Sequence, residues 1–247
     1  MNLIYLTRQE WGADDSLPRL GAIVPGDERT EVYIHHTVAI DSDATPNIWE
    51  TMHEVTTWMQ RLQTIRPDLG KDVPYNYVGF FMPDELVICE GRGSHRSGAH
   101  TIGHNRSAIG LAVHGNFNLP TFGLTSYLPA IGAFLWSLQV NKLPFLGTNH
   151  PPGRDVFGHR DVYQTACPGN NLYALLDDIK IEPPEEEDDD MTDEQWSTIQ
   201  NTQRQVLEVL HILKGGQLPS QAGLAYAKSV LGRLERLEVD HHPPGHN

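Results

Sequence analysis

A chain of 247 residues is long enough for one well-buried domain and an appendage. Its composition, 39% hydrophobic and 20% charged, is that of an ordinary soluble globular protein. A formal net charge of −14 argues against a phosphate-backbone partner, which needs clustered Lys and Arg, so nucleic acid is excluded as a binding class. No run approaches the ~18 apolar residues of a membrane span.

The first eight residues, Met1 to Arg8, lack the basic start and apolar core of a signal peptide. The expectation is a product made in a cytoplasm and held there until release. Arg8-Gln9-Glu10-Trp11-Gly12-Ala13 opens the patterned chain, and a Gly/Pro/Asp-rich loop runs to about residue 30. The first predicted strand is 31–36, Glu-Val-Tyr-Ile-His-His. Side chains alternate along a strand, so its inner face carries either Val32 and Ile34 or Tyr33 and His35, and His36 points away from whatever His35 faces.

Thr45-Pro46 reads as an N-cap followed by proline at the first helical position. Ile48, Met52, Val55, Met59 and Leu62 follow at alternating spacings of four and three, which predicts an amphipathic helix over 46–65. His53-Glu54 begins like an HExxH zinc motif, but position 57 is Thr, so the second ligand is missing and His53 reads as a surface residue. Strands are predicted at 75–81 and 86–89 around the turn Met82-Pro83-Asp84-Glu85, then a polar Gly-rich loop from 90 to 108 and a short buried strand at 109–113. Leu128, Ile131, Leu135 and Leu138 mark a helix over 126–140, a Pro-rich loop covers 144–153, and a short helix is predicted at 170–179. Strands alternating with helices predict an α/β fold, a sheet layered by helices, over residues 1–181.

The acidity concentrates later, with 5 Lys+Arg against 13 Asp+Glu after residue 181. Residues 182–191 read as an acidic, Pro-containing linker. Thr192-Asp193-Glu194-Gln195 makes a capping box, and two apolar-periodic segments predict a helical hairpin over 192–240, for self-association or cell-wall binding. Residues 241–247, despite three histidines, read as a disordered tail.

Chemistry concentrates in Gly158-His159-Arg160-Asp161-Val162-Tyr163-Gln164-Thr165-Ala166-Cys167-Pro168-Gly169. Imidazole and thiolate are ligand types Zn²⁺ takes readily, and this loop is long enough to bring both onto one ion. A third ligand is expected from the His35-His36 pair, leaving the fourth position open as catalytic zinc sites do. Of the two cysteines, Cys89 then reads as a small buried hydrophobe; a disulfide between Cys89 and Cys167 is the alternative.

Arg8-x-x-Trp11-Gly12-Ala13, Ile34-His35-His36-Thr37, Pro74-Tyr75-Asn76-Tyr77, Glu90-Gly91-Arg92-Gly93, Gly98-Ala99-His100-Thr101, Ile109-Gly110, Gly115-Asn116-Phe117 and the His159–Cys167 stretch stand in one order along the chain. That ordered set, over residues 5–180, resembles type 2 N-acetylmuramoyl-L-alanine amidases and peptidoglycan recognition domains. The resemblance implies a central mixed β-sheet flanked by helices. It also implies zinc-dependent hydrolysis of the amide joining N-acetylmuramic acid to L-alanine, with bacterial peptidoglycan as the partner. The implied ligands are His35, His159 and Cys167, and the implied role of Tyr75 is to orient water and donate to the tetrahedral intermediate. Some members carry lysine two residues before the cysteine; here Thr165 offers only a neutral hydrogen bond. His100 either contacts substrate or orders its loop, and Arg92 pairs either with a stem-peptide carboxylate or with Glu90 or another acid of the chain. Asn76 and Asn116 are candidates for holding glycan or peptide amides, in an open groove over the metal.

Recognition modules of this kind typically lack the cysteine ligand, so Cys167 favours an enzyme. With no export signal read at the N-terminus, the expected setting is a phage or prophage endolysin. The alternative is a non-catalytic peptidoglycan-binding module of the same fold.

Overall fold

The computed structural model describes residues 1–39, 43 and 45–184. The predicted hairpin, the tail and the linker from residue 185 onward lie outside the described residues. Six strands form one mixed sheet: β1 (Asn2–Leu6), β2 (Glu31–His36), β3 (Tyr77–Met82), β4 (Glu85–Glu90), β5 (Ala108–Val113) and β6 (Phe157–Gly158), in the order β1-β4-β3-β5-β2-β6. β3 and β4 pair antiparallel across their tight turn, and the other neighbouring pairs are parallel. Among the described residues three α-helices accompany the sheet: α1 (Met52–Thr64), α2 (Leu128–Asn141) and α3 (Asn170–Tyr173).

β2, β3 and β5 are buried along their whole length, as strands covered on both faces must be. On one face Val32, Ile34, Ile109, Leu111 and Val113 pack with Leu128, Ile131, Leu135 and Leu138 of α2. On the other, Val78, Phe80, Val87 and Cys89 pack with Val55, Met59 and Leu62 of α1. With Val32 and Ile34 committed to the α2 side, alternation sends Glu31, Tyr33 and His35 to the opposite face. In the parallel register these three stand beside Ala108, Gly110 and Ala112 of β5. Small residues there leave a hollow, and the loop between β4 and β5 fills it. His104 in that loop bonds both Tyr33 and Glu31, and His100 meets His35.

Several predicted boundaries move for identifiable reasons. α1 starts at Met52 because Thr51, not Thr45, caps it: Thr51 accepts from the Glu54 N–H while the Glu54 carboxylate accepts from the Thr51 N–H. The preceding segment is pinned to the sheet instead. Asn47 takes φ +68°, Ile48 bridges to Phe81, and the Trp49 N–H donates to the Phe81 carbonyl at 2.7 Å. Ile48 therefore belongs to the α2-side core, and its helical spacing to Met52 is coincidental. The segment predicted as one helix over 170–179 is α3 followed by a 3-10 turn at Leu176–Asp178. Residues 2–6 form a strand that the sequence pattern does not predict. β1 lies at the sheet edge, where apolar Leu3 and Tyr5 take the exposed positions, so no polar-apolar alternation in the sequence marks it.

Candidate metal centre

β6 runs beside β2 with Gly158 opposite Ile34. His35 and His159 are each one residue further on, so the register itself sets the two imidazoles side by side, ring centroids 4.7 Å apart. This is the carboxyl end of parallel strands, where α/β sheets open a crevice. After a 3-10 turn at His159–Asp161 the chain loops back to Cys167, whose Sγ lies 3.5 Å from His35 Nδ1 and receives the His36 N–H at 3.4 Å. Arg160 braces that loop. Its guanidinium donates to the carbonyls of Ala166 and Cys167 and to Asn170 Oδ1, and it lies over the Tyr173 ring. Gly169, at φ +93°, ends the loop where its backbone runs against that of Phe117; a Cβ there would sit 2.5 Å from the Phe117 carbonyl carbon.

One ligand atom each from His35, His159 and Cys167 lie within 4.8 Å of one another. Tetrahedral zinc, with Zn–N of about 2.0 Å and Zn–S of about 2.3 Å, needs ligand separations of roughly 3.3–3.6 Å, so a small contraction suffices. The charge states also fit. Burial, then the neighbouring His100, His159 and His36, hold His35 well below the usual imidazole range, and burial lowers His159. Both present neutral nitrogens at neutral pH, as metal binding requires. Burial pushes the Cys167 thiol up to about 11 against the opposing pull of the His36 N–H and Arg160. A bound divalent cation reverses that balance, since a coordinating thiol is deprotonated outright. The donor set therefore fits zinc.

His36 points to the other face, as alternation requires. Its Nδ1 accepts the Phe117 N–H at 3.4 Å, and burial, then Arg160, lowers it to about 4. Around the triad is a cavity of about 300 Å³ that Tyr75, Thr165, Asn118, Val38 and Arg66 help line. A second lobe of about 400 Å³, bounded by Ile102, Asn105 and Tyr163, shares Arg66, Ala99, His100 and His159 with it. Together they make the expected open groove. The Tyr75 ring stands 5.4 Å from that of His35, and burial, reinforced by Cys167, keeps its phenol protonated. Thr165 Oγ1 accepts the Cys167 N–H at 3.2 Å, which leaves its hydroxyl proton free to donate.

Three of the sequence-derived binding residues take other roles. Asn76 is fully buried: its amide donates to the carbonyls of Gly93 and Arg96, and its Oδ1 accepts the Gly110 N–H. It ties the loop after β4 to β5 and has no group left for a ligand. Arg92 is likewise buried, donating to the carbonyls of Val73 and Ser97 with Asp72 at 3.7 Å, so its acid partner is Asp72 rather than Glu90 or a substrate. Asn116 is half-buried: its backbone N–H donates to Asn47 Oδ1 and its own Oδ1 accepts the Asn118 N–H, while Asn118 is the asparagine that lines the cavity. His100 is buried beside His35, Nδ1 to Nε2 at 3.1 Å, and burial, aided by Arg29 and His159, pushes it down to about 3. His104 serves Glu31 and Tyr33, while His114 is enclosed by Trp49, Trp58 and Phe80. Arg66 and Asn118 were missed because each lies outside the recognisable motifs, brought to the groove by the end of α1 and the turn after β5.

No family model matches the chain. It is 28% identical over 175 residues to peptidoglycan-recognition protein SC2 of Drosophila melanogaster, covering 70% of this chain and 84% of that protein. It is 30% identical over 150 residues to an N-acetylmuramoyl-L-alanine amidase of Mus musculus, covering 59% of this chain but only 25% of the longer mouse protein. Among solved structures, the ectodomain complex of peptidoglycan recognition proteins LCa and LCx with tracheal cytotoxin superimposes with a TM-score of 0.55 at 27% identity, over 70% of this chain and 93% of that one. Among the described residues no helix is long and apolar enough to cross a membrane. In sheet architecture and in relatives of both kinds, the chain is similar to peptidoglycan-recognition proteins and N-acetylmuramoyl-L-alanine amidases, which supports that family.

Proposed function

We propose that this protein is a zinc-dependent N-acetylmuramoyl-L-alanine amidase, hydrolysing the amide between N-acetylmuramic acid and the L-alanine of the stem peptide. The observation that carries this reading is the convergence of two neutral imidazoles and a thiol in the floor of an open groove, beside a protonated phenol. Peptidoglycan as the substrate class is supported by the mouse relative, named for this activity, and by the solved relative that holds tracheal cytotoxin. When bound, zinc supplies a Lewis acid for the scissile carbonyl and acidifies water.

The chain's residues supply the rest. His35, His159 and Cys167 hold the ion. The Tyr75 phenol donates a hydrogen bond to the oxygen on which negative charge develops, and Thr165 adds a second, neutral donor where a cation would give a stronger one. The two-lobed groove aligns an extended polar chain across that point. A purely recognising module has no need of Cys167, whose thiol completes the ligand set; that residue favours the enzyme over the binding module.

Digestion of purified peptidoglycan with mass analysis of the fragments tests the proposal. Free stem peptides beginning with L-alanine are expected, and their release stops with chelator or with Cys167→Ser. New reducing sugar ends would instead mark a glycosidase and refute it. The lytic role is proposed with the activity: added protein clears a suspension of permeabilised bacteria, and the Cys167→Ser variant leaves it turbid.

A further inference from the structure

We propose that His100 is a positioning residue for the metal centre: its Nδ1 accepts the Nε2–H of His35 and so commits His35 to meet the ion through Nδ1. This rests on the reading that His35, His159 and Cys167 hold zinc. His35 is almost fully buried, so a ring N–H there needs an acceptor inside the protein. Its two nitrogens face different partners. Nδ1 looks toward Cys167 Sγ at 3.5 Å, and Nε2 toward His100 Nδ1 at 3.1 Å, with Thr101 Oγ1 at 3.3 Å.

A coordinating nitrogen must be bare, and a neutral imidazole carries one proton. The nitrogen beside Cys167 therefore gives up the proton to Nε2, and the nearest acceptor for Nε2–H is His100 Nδ1. That places the His100 proton on its own Nε2, which has no partner among the described residues. The ring is nevertheless held in this pose. It lies against Gly98 and Gly110, where an added Cβ would come within 2.1 Å and 2.5 Å of its Cδ2, and the His100 N–H donates to Asn105 Oδ1 at 2.8 Å. Thr101 Oγ1, 3.0 Å from His100 Nδ1, closes the triangle. The hollow that Ala108, Gly110 and Ala112 leave on β5 is thus filled by a side chain that orients a ligand. Zinc-bound histidines generally donate their second N–H in this way, and loss of the acceptor typically weakens metal binding ~10–100-fold.

The test is zinc affinity by chelator competition on the wild-type, His100→Leu and His100→Asn proteins, with circular dichroism confirming the fold. Leucine fills the space without an acceptor, whereas the asparagine Oδ1 stands close to where the histidine Nδ1 was. Expected is a ~10–100-fold weaker dissociation constant for His100→Leu and recovery of most of it in His100→Asn, with the same order in the intensity of the thiolate-to-metal band of the cobalt-substituted proteins. A wild-type protein that binds no zinc would defeat the metal reading itself. Wild-type binding with His100→Leu unchanged, or with His100→Asn as weak as His100→Leu, overturns the positioning role alone. A measurement without substitutions decides the same point: ¹⁵N spectra of the zinc-loaded wild type should place the His35 proton on Nε2, and a proton on Nδ1 refutes the proposal.

Discussion

At the residue scale, the proposed mechanism separates side chains that would hold the ion from side chains that would act on the substrate. Tyr75 touches the cavity without belonging to the ligand set, so Tyr75→Phe removes a donor and leaves the metal. Its expected effect is a fall in kcat of ~10²–10³-fold with zinc affinity unchanged, checked by steady-state kinetics alongside chelator competition. Equal losses in both would place Tyr75 in the scaffold. His114 carries a different consequence. Burial, with a smaller contribution from Arg61, pushes it down to about 3, and Thr37 Oγ1 stands 2.9 Å from its Nδ1. Its folded-state pKa lies below the ~6.5 of an unfolded chain. The stability linked to its neutral form is present in full above that value and is lost as pH falls from ~6.5 toward 3, at up to about 1.4 kcal/mol per pH unit. Denaturant titrations over that range should show a shallower slope for His114→Phe than for wild type.

At the scale of elements, β5 shows how a strand serves a site it does not enter. Its α2-side residues Ile109, Leu111 and Val113 are ordinary core, while Ala108, Gly110 and Ala112 are small because another segment must lie over them. Gly110→Ala puts a Cβ 2.5 Å from the His100 ring. The expected cost is ~1–3 kcal/mol from overpacking, read by urea denaturation, together with weaker zinc binding because His100 is displaced from His35. The capping box makes a separate point: Thr51→Ala removes the side-chain cap of α1 and should cost ~1 kcal/mol with no effect on the metal, since α1 packs on the sheet without supplying a ligand.

For the whole molecule, the three proposed ligands come from two strand ends and a returning loop, 132 residues apart at the extremes. A cation held there joins parts of the chain that only the fold brings together. Zinc at a hundredfold excess over its dissociation constant should therefore raise the unfolding free energy by ~2.7 kcal/mol, and chelator should lower the melting temperature correspondingly. A melting curve indifferent to zinc would mean the ion is not held by the folded state.

Much of this was legible in the chain itself. Residue types with definite chemistry, His35, His159 and Cys167, stand in recognisable motifs, and long apolar strands announce themselves because burial on both faces permits little else. What the sequence left open was direction and company. Whether His35 or Ile34 faced the site depended on which face α2 covered; Asn76 and Arg92 looked like ligand-binding groups until their partners, backbone carbonyls far along the chain, were in place. Composition and spacing determine which groups are present and which local elements form, since both are set by short-range propensity. Only the tertiary structure decides which polar groups are consumed by the fold and which remain for chemistry, because that depends on contacts between residues that sequence distance does not encode.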